Sequence, residues 1–155
     1  DAGAILYYDL NFRKTHIKDI PEVMDNIVEN FELATIVRGS TEDFGYLFGT
    51  SVPQEIYDKH MRKHCDLFIC TDSCRPISLF TPNISAQYPV EQITTVSTIG
   101  AGDNFNAGFV YGVIQQNLTK TELSAIDEAA WSELIASGQS FSKKVCQSIF
   151  NYIEK

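Results

Sequence analysis

The chain has 155 residues, 44% hydrophobic and 21% charged, a composition that suits one globular domain with a substantial core. Its 12 basic and 20 acidic residues give a net charge of −8 without any basic cluster, so we expect neither nucleic acid nor a membrane as a partner. The sequence shows neither an apolar run of about 18 residues nor a signal-peptide pattern, so we expect a cytoplasmic protein with reduced cysteines.

The first half of the chain alternates short apolar runs with amphipathic segments, and polar residues follow the apolar runs. This alternation is typical of β-α-β units. Polar residues at the carboxyl ends of parallel strands lie where α/β folds place their ligand crevice. The pattern predicts strands at residues 4–8, 34–38, 66–71 and 77–80, helices at residues 21–31 and 53–63, and a short helix that runs to residue 48.

Two groups of polar residues follow the first two predicted strands. Asp9, Asn11 and Arg13 alternate with apolar residues after the first strand, and Ser40 and Asp43 follow the second. The first group fits a solvated strand end as well as it fits a ligand contact. In the second group, a serine at the start of a short helix is a common N-cap. The residues alone leave both interpretations open.

Two histidines in the predicted helix at residues 53–63 and just after it suggest a metal site. His60 and His64 lie four residues apart, which puts both imidazoles on one helical face, and Cys65 follows. There is no glutamate at position 61 and no second ligand pair nearby. We therefore favour surface or half-buried histidines over metal ligands.

The second half of the chain begins with a β-branched run at residues 92–96, which predicts a strand or strand end. Phe105, Phe109 and Val113 then recur at helical spacing and predict a helix that starts near Gly102 or Asp103. From residue 123 onward the pattern predicts helix throughout, with a break near residue 138 and an apolar face of Phe141, Val145, Ile149 and Tyr152.

The short sequence Gly100-Ala101-Gly102-Asp103 lies at the predicted start of that helix. Free backbone N–H groups beside small residues at a helix N-terminus form an anion site, most often for phosphate. A carboxylate there repels an anion, which suggests that Asp103 accepts a proton from a hydroxyl that attacks the phosphate. The alternative is a tight turn with Asp103 as an ordinary N-cap. A dinucleotide fingerprint fits poorly, because Phe105 stands where its third glycine belongs, and a P-loop fails because no Gly-Lys-Ser/Thr follows.

The segment from Ser97 to Val110 resembles the C-terminal signature of the ribokinase-like, or PfkB-type, carbohydrate kinases. The resemblance implies a three-layer αβα, doubly wound and mainly parallel sheet. It also implies ATP-dependent phosphorylation of a hydroxyl of a sugar or sugar-like alcohol, with Mg²⁺. Asp103 would be the catalytic base, and the turn of Gly100, Ala101 and Gly102 would be the anion hole. The residues that match the signature are Thr98, Gly100, Ala101, Gly102, Asp103, Ala107, Gly108, Phe109 and Val110.

The same resemblance implies roles for residues of the first half. Asn11 and Arg13 correspond to a segment near the substrate or the transferred phosphate. Asp43 takes the place of a glutamate that organises Mg²⁺ through water, so it is expected in the outer shell of the ion. The residues expected to bind the nucleotide are Ser40, Thr71, Ser73 and Cys146.

Several departures from the family pattern affect these expectations. Ser73 and Pro76 replace the two glycines of the nucleotide loop, which restricts how closely the backbone approaches ATP. Ser97 stands where the family commonly has an aspartate beside a monovalent cation, so we expect weak or absent activation by potassium.

Members of this family are longer than this chain, and their signature lies late in the sequence. We therefore expect residues 1–155 to form a single α/β domain that corresponds to the C-terminal half of such a kinase. The fragment alone is expected to be inactive, and its partner is either an N-terminal half or, in a homodimer, a second copy. The alternative is a non-catalytic nucleotide-binding or structural half of a split or truncated kinase.

Overall fold

The computed structural model describes residues 3–153, which belong to two compact units. The first unit is Asp1–Pro89 and the second unit is Val90–Lys155. No helix within residues 3–153 is both long and apolar enough to cross a membrane. The expectation of one α/β domain over residues 1–155 stays a prediction.

The first unit is built around a five-stranded mixed sheet with the strand order β1-β2-β3-β4-β5. The strands β1, β2 and β3 are parallel, whereas β4 is antiparallel to both β3 and β5. Since β4 alone reverses direction within this sheet, the other four described strands run the same way. The strands are β1 (Tyr7–Asp9), β2 (Ile36–Ser40), β3 (Leu67–Asp72), β4 (Arg75–Phe80) and β5 (Ser85–Tyr88).

The helices of the first unit connect the parallel strands and begin and end at recognisable signals. Pro21 lies in the first turn of α1, where its missing N–H has no cost. Ser40 is the N-cap of α2, and Gly49 ends it with a φ of 74°. The helices are a 3₁₀-helix (Lys14–Asp19), α1 (Ile20–Leu33), α2 (Thr41–Phe48) and α3 (Pro53–Ile56), which continues as a π-helix (Tyr57–Met61).

The core of the first unit lies between these helices and one face of the sheet. Phe31 of α1 and Phe44 of α2 are fully buried together with Phe68 of β3. The rings of Phe44 and Phe68 meet edge to face, with their centroids 5.2 Å apart. Because β1, β2 and β3 are parallel, their carboxyl ends lie at a common edge of the sheet.

The second unit consists mainly of two helices that pack closely through glycines. A Cβ atom on Gly108 would lie 2.6 Å from the carbonyl oxygen of Ser137, and the Ser137 hydroxyl donates a hydrogen bond of 2.6 Å to the Gly108 carbonyl. The helices therefore contact one another at backbone distance. The helices of this unit are α4 (Ala101–Gln115), α5 (Lys120–Leu123) and α6 (Glu128–Cys146).

Three expectations for the second unit are wrong. Residues 92–96 form no strand; instead the amides of Val96 and Ser97 donate hydrogen bonds to the Cys146 carbonyl. Gly138 does not break a helix but lies inside α6, where a Cβ atom would approach the Phe105 ring within 2.8 Å. The last helix ends at Cys146, so the predicted apolar face stops short of Ile149 and Tyr152, which are exposed.

The close contact at Gly108 predicts a selective effect of added side-chain volume. Gly108→Ala should lower the free energy of unfolding by about 1–3 kcal/mol, because the Ser137 backbone cannot move aside without shifting α6. Urea denaturation followed by circular dichroism measures this change.

Gly112→Ala is the matched control. Its new Cβ atom would meet side-chain atoms of Leu134 and Ser137 at 3.2 Å, and alanine gains up to about 1 kcal/mol in helix propensity. We expect little net change for this variant. Equal destabilisation by the two substitutions would contradict the close backbone contact at Gly108.

Candidate active site

The turn that leads into α4 has the conformation that an anion site requires. Gly100 is the N-cap of α4 and has a φ of 78°, a left-handed conformation that glycine adopts without strain. The Ala101 amide donates to the Thr98 carbonyl at 3.2 Å. The helix supplies no acceptor for the N–H groups of Gly102 and Asp103, which lie in its first turn. These groups are available to an anion.

Asp103 is the third residue of α4, and its side chain is exposed. Because Gly100 occupies the N-cap position, the alternative of Asp103 as an ordinary N-cap is wrong. The Asn104 side chain holds the turn instead, since its amide donates to the carbonyls of Gly100 at 2.9 Å and Asn151 at 3.1 Å. The Asp103 carboxylate accepts no hydrogen bond from residues 3–153 and is free to meet a ligand.

Two further candidate residues of the second unit lie close to this turn. The Val96 amide donates to the Cys146 carbonyl at 2.8 Å, so the end of α6 contacts the segment just before the turn. The Ser97 hydroxyl accepts a hydrogen bond of 3.2 Å from the Ile99 amide. A hydroxyl engaged by the backbone is a weaker cation ligand than a carboxylate. Weak activation by potassium stays a prediction.

In the first unit, a buried arginine that the sequence analysis missed connects the middle strand of three parallel strands to both of its neighbours. Arg38 of β2 is 8% exposed, and its Nη1 contacts both carboxylate oxygens of Asp9 at 3.2 Å. Its Nη2 donates to the Thr71 hydroxyl at 2.7 Å. The signal was present in the sequence, because Arg38 is the one charged residue of the strand predicted at residues 34–38. A buried charge there requires a partner.

Ser40 and Asp43 form a complete capping box at the start of α2. The Asp43 Oδ2 atom accepts hydrogen bonds from the Ser40 amide at 2.8 Å and the Ser40 hydroxyl at 2.6 Å. The Asp43 Oδ1 atom accepts none from the described residues. The structure therefore shows the capping role directly and leaves one carboxylate oxygen for a water molecule. Within residues 3–153 no cluster of three or more His, Cys, Asp or Glu side chains forms a direct metal site.

The expected nucleotide loop is a tight hairpin between β3 and β4. Asp72 pairs with Arg75 across the strands, so only two residues form the turn. The first of them, Ser73, has a φ of 53°, a conformation that favours glycine. The Arg75 guanidinium contacts the Asp72 carboxylate at 2.9 Å, and the Thr41 hydroxyl donates to the same carboxylate at 2.7 Å.

Asn11 and Arg13 lie beyond the end of β1 and share a cavity of about 260 Å³. Asn11 has a φ of 42°, which turns the chain away from the sheet. Both side chains are exposed. The structure thus groups these residues in the first unit, whereas Asp103 and Cys146 belong to the second. The expectation that all of them converge on one crevice stays a prediction. The remaining residues that line the cavity are Tyr8, Leu10, Phe12, His16, Asp19, Val23 and Ile27.

The two histidines considered as metal ligands have separate partners. The His60 ring stacks on Phe48 with the centroids 4.0 Å apart, and burial together with Lys59 and Lys63 lowers its pKa. His64 Nδ1 contacts a Glu32 carboxylate oxygen at 2.8 Å. These contacts give each histidine a structural partner and support the interpretation that neither is a metal ligand.

The buried guanidinium predicts a large stability effect for its truncation. Arg38→Met should lower the free energy of unfolding by about 3–5 kcal/mol, because it leaves the Asp9 carboxylate and the Thr71 hydroxyl without this donor. Thr35→Val, which removes the acceptor of the Leu6 amide at the other end of β2, should cost only about 1 kcal/mol. Urea denaturation compares the two, and similar losses would contradict a buried ion pair at Arg38.

The chain matches several curated sugar kinases over most of its own length. It is 32% identical over 131 residues to the fructokinase of Rhizobium leguminosarum bv. trifolii, which is 83% of this chain and 40% of that protein. It is 26% identical over 117 residues to the aminoimidazole riboside kinase of Salmonella typhimurium, which is 76% of this chain and 37% of that protein. The chain spans about 40% of the length of these relatives.

Solved structures resemble this one across nearly the whole chain. Aminoimidazole riboside kinase from Salmonella enterica, complexed with aminoimidazole riboside and an ATP analog, has a TM-score of 0.78 at 23% identity, covering 95% of this chain and 47% of its own. Fructokinase with bound ATP from Xylella fastidiosa has a TM-score of 0.79 at 21% identity, with the same coverage of 95% and 47%. These likenesses confirm the expected ribokinase-like α/β fold. Since the sequence pattern of the pfkB family carbohydrate kinases also matches residues 2–149, the chain belongs to that family.

Proposed function

We propose that this chain supplies the catalytic turn of an enzyme that transfers a phosphoryl group from ATP to a hydroxyl of a sugar or sugar-like alcohol. The observation that supports this most is the position of Asp103. Its exposed carboxylate follows a glycine turn, and the helix supplies no acceptor for the N–H groups of Gly102 and Asp103 at the start of α4. The curated relatives named fructokinase and aminoimidazole riboside kinase support a sugar or nucleoside-like acceptor.

Asp103 acts as the base in the proposed reaction. Its carboxylate takes the proton from the acceptor hydroxyl, and the hydroxyl oxygen forms a bond to the γ-phosphorus of ATP. The bond between that phosphorus and the bridging oxygen of ADP breaks, so the products are ADP and a phosphate ester, with the proton on Asp103. The N–H groups of Gly100, Ala101, Gly102 and Asp103 stabilise the negative charge on the transferred group. The Ala101 amide must exchange its Thr98 acceptor for the anion to take part.

The residues of the first unit fit a supporting role towards the nucleotide and Mg²⁺. The Asp43 Oδ1 atom, which the capping box leaves open, is suited to a water molecule in the outer shell of the ion. When bound, Mg²⁺ neutralises the charge of the triphosphate. We assign nucleotide contacts to Ser40, Thr71, Ser73 and Cys146 and substrate or phosphate contacts to Asn11 and Arg13. A homodimer or an N-terminal partner and a cytoplasmic location stay predictions.

The second candidate is a half that binds the nucleotide without catalysis or has only a structural role. One observation favours it. The two-residue hairpin at Ser73 and Cys74 and the proline at position 76 replace a glycine-rich loop, so less backbone is available for close contact with phosphates. A chain that does not turn over sugar with any partner would support this candidate.

Asp103→Asn tests the proposed base. Since the chain spans about 40% of its relatives, turnover is measured in a chimera in which it replaces the matched 131 residues of the Rhizobium leguminosarum bv. trifolii fructokinase. We expect sugar-dependent ADP formation to fall by at least ~100-fold, because the amide cannot accept the proton. Calorimetric binding of ATP with Mg²⁺ should be retained.

Asp25→Asn is the control, because Asp25 is an exposed carboxylate on α1 that does not line the cavity shared by Asn11 and Arg13. It should leave both turnover and nucleotide binding unchanged. Near-normal turnover of Asp103→Asn would overturn the assignment of the base. Nucleotide binding by the wild-type chimera without any turnover would favour the second candidate.

The serine at position 97 predicts a weak response to monovalent cations. Turnover of the chimera should change little when potassium replaces sodium, because the Ser97 hydroxyl is neutral and already accepts the Ile99 amide. Ser97→Asp should create or raise activation by potassium. A large preference of the wild-type sequence for potassium would contradict this prediction.

A further inference from the structure

We propose that Arg38 is a positioning residue that holds the substrate segment after β1 and the nucleotide segment after β3 at a fixed spacing. The substrate segment is Asn11–Arg13, and the nucleotide segment begins at Thr71. This inference rests on the proposed function, because it concerns the same site. It adds a residue in the middle strand that itself has no expected contact with either ligand.

The strand register places the three partners on one face of the sheet. Arg38 lies directly beside Asp9 on β1 and beside Ile69 on β3. Thr71 is two residues beyond Ile69, and side chains two residues apart in a strand point to the same face. The Arg38 guanidinium therefore extends along the sheet towards the carboxyl ends of the strands. It contacts the Asp9 carboxylate on one side and the Thr71 hydroxyl on the other.

The chemistry of the guanidinium suits this connection. Its nitrogens form a rigid planar fork, so binding one partner at Nη1 fixes the direction of Nη2. The Arg38 side chain is 9% exposed and that of Asp9 is 18% exposed, so water competes little for these contacts. A lysine carries the same charge, but its single ammonium lacks the fork that spans both neighbouring strands.

Each anchored residue lies two residues before a candidate ligand contact, and Thr71 is itself a candidate nucleotide contact. The Leu10 amide donates to the Arg38 carbonyl at 3.0 Å, and the chain turns away at Asn11, where φ is 42°. On the other side, Thr71 is followed within two residues by the hairpin turn at Ser73. If the guanidinium moves, the substrate segment and the nucleotide segment therefore move with it, since each begins within two residues of a contact of Arg38.

A buried ion pair is not required for stability, since apolar residues of similar volume replace such pairs at little or no loss. The contribution of Arg38 to stability can therefore be separated from its role in positioning the two segments. The double variant that combines Asp9→Leu with Arg38→Met should restore most of the stability that Arg38→Met alone removes. It does not restore the hydrogen bond to Thr71 or the fixed direction of the Asp9 carboxylate. If Arg38 is a positioning residue, the double variant folds well but still loses its site geometry.

The test uses the 155-residue chain and two readouts. The first is amide hydrogen exchange by NMR at residues 11–13 and 71–74. The second is the affinity for ATP with Mg²⁺ by calorimetry. In the double variant we expect faster exchange in both segments and an affinity about tenfold lower, the factor that corresponds to one hydrogen bond to a charged group. Arg38→Lys should behave like the double variant in the 71–74 segment.

Thr35→Val is the matched control, because it removes a hydrogen-bonding threonine at the amino end of β2. It should change neither readout. If the double variant folds and keeps wild-type exchange, or keeps wild-type affinity despite faster exchange, the proposal is overturned. Wild-type behaviour of Arg38→Lys in both readouts overturns it as well.

Two further outcomes are distinguishable. If the wild-type chain does not bind ATP with Mg²⁺, the nucleotide part of the proposed function fails, and the exchange readout still decides the role of Arg38. If the double variant does not fold, Thr71→Val takes its place. This variant keeps the ion pair of Arg38 with Asp9 and removes the acceptor on β3, together with the hydrogen bond of 3.5 Å from the Thr71 hydroxyl to the Gly39 carbonyl. Faster exchange at residues 11–13 would show that the connection reaches β1. Unchanged exchange there would overturn the proposal.

Discussion

The first unit depends on the way that three parallel strands end at one edge of its sheet. Parallel strands place their polar carboxyl ends side by side. Arg38 connects the three strands there, because its guanidinium donates hydrogen bonds to Asp9 on one side and Thr71 on the other. The capping box of Ser40 and Asp43 begins two residues later on the same middle strand. Local helix capping and contacts between strands therefore organise one edge together.

The second unit meets a different constraint, which is close approach of two helix backbones. Gly108 lets the backbone of α4 contact the backbone of α6 at Ser137, and Gly138 leaves room on α6 for the Phe105 ring. The end of α6 then contacts the segment before the Gly100 turn through the Cys146 carbonyl. Small residues in the signature thus have two physical uses. Gly100 and Gly102 leave the N-terminus of α4 open, whereas Gly108 brings α6 close enough to support the turn.

Local signals predicted the parts of the fold that depend on neighbouring residues. The predicted helix start at residue 21 and helix end at residue 48 agree with the structure within one residue, because Pro21 and Gly49 mark these ends by their own chemistry. The signals failed where packing decides. Gly138 looks like a helix breaker but is needed for contact with Phe105, and the β-branched run at residues 92–96 pairs with no strand. The Arg38 contacts join residues 29 and 33 positions apart, and such pairs depend on strand register, which single residues do not reveal.

The central claim is that the turn before α4 binds the phosphoryl group on which Asp103 acts. The most direct measurement is an NMR titration of the 155-residue chain with ATP and Mg²⁺, following every backbone amide. The account predicts that the amides of Gly100, Ala101, Gly102 and Asp103 show saturable shifts, including Ala101 as it leaves the Thr98 carbonyl. Binding that leaves these four amides unchanged while shifting amides elsewhere would contradict it.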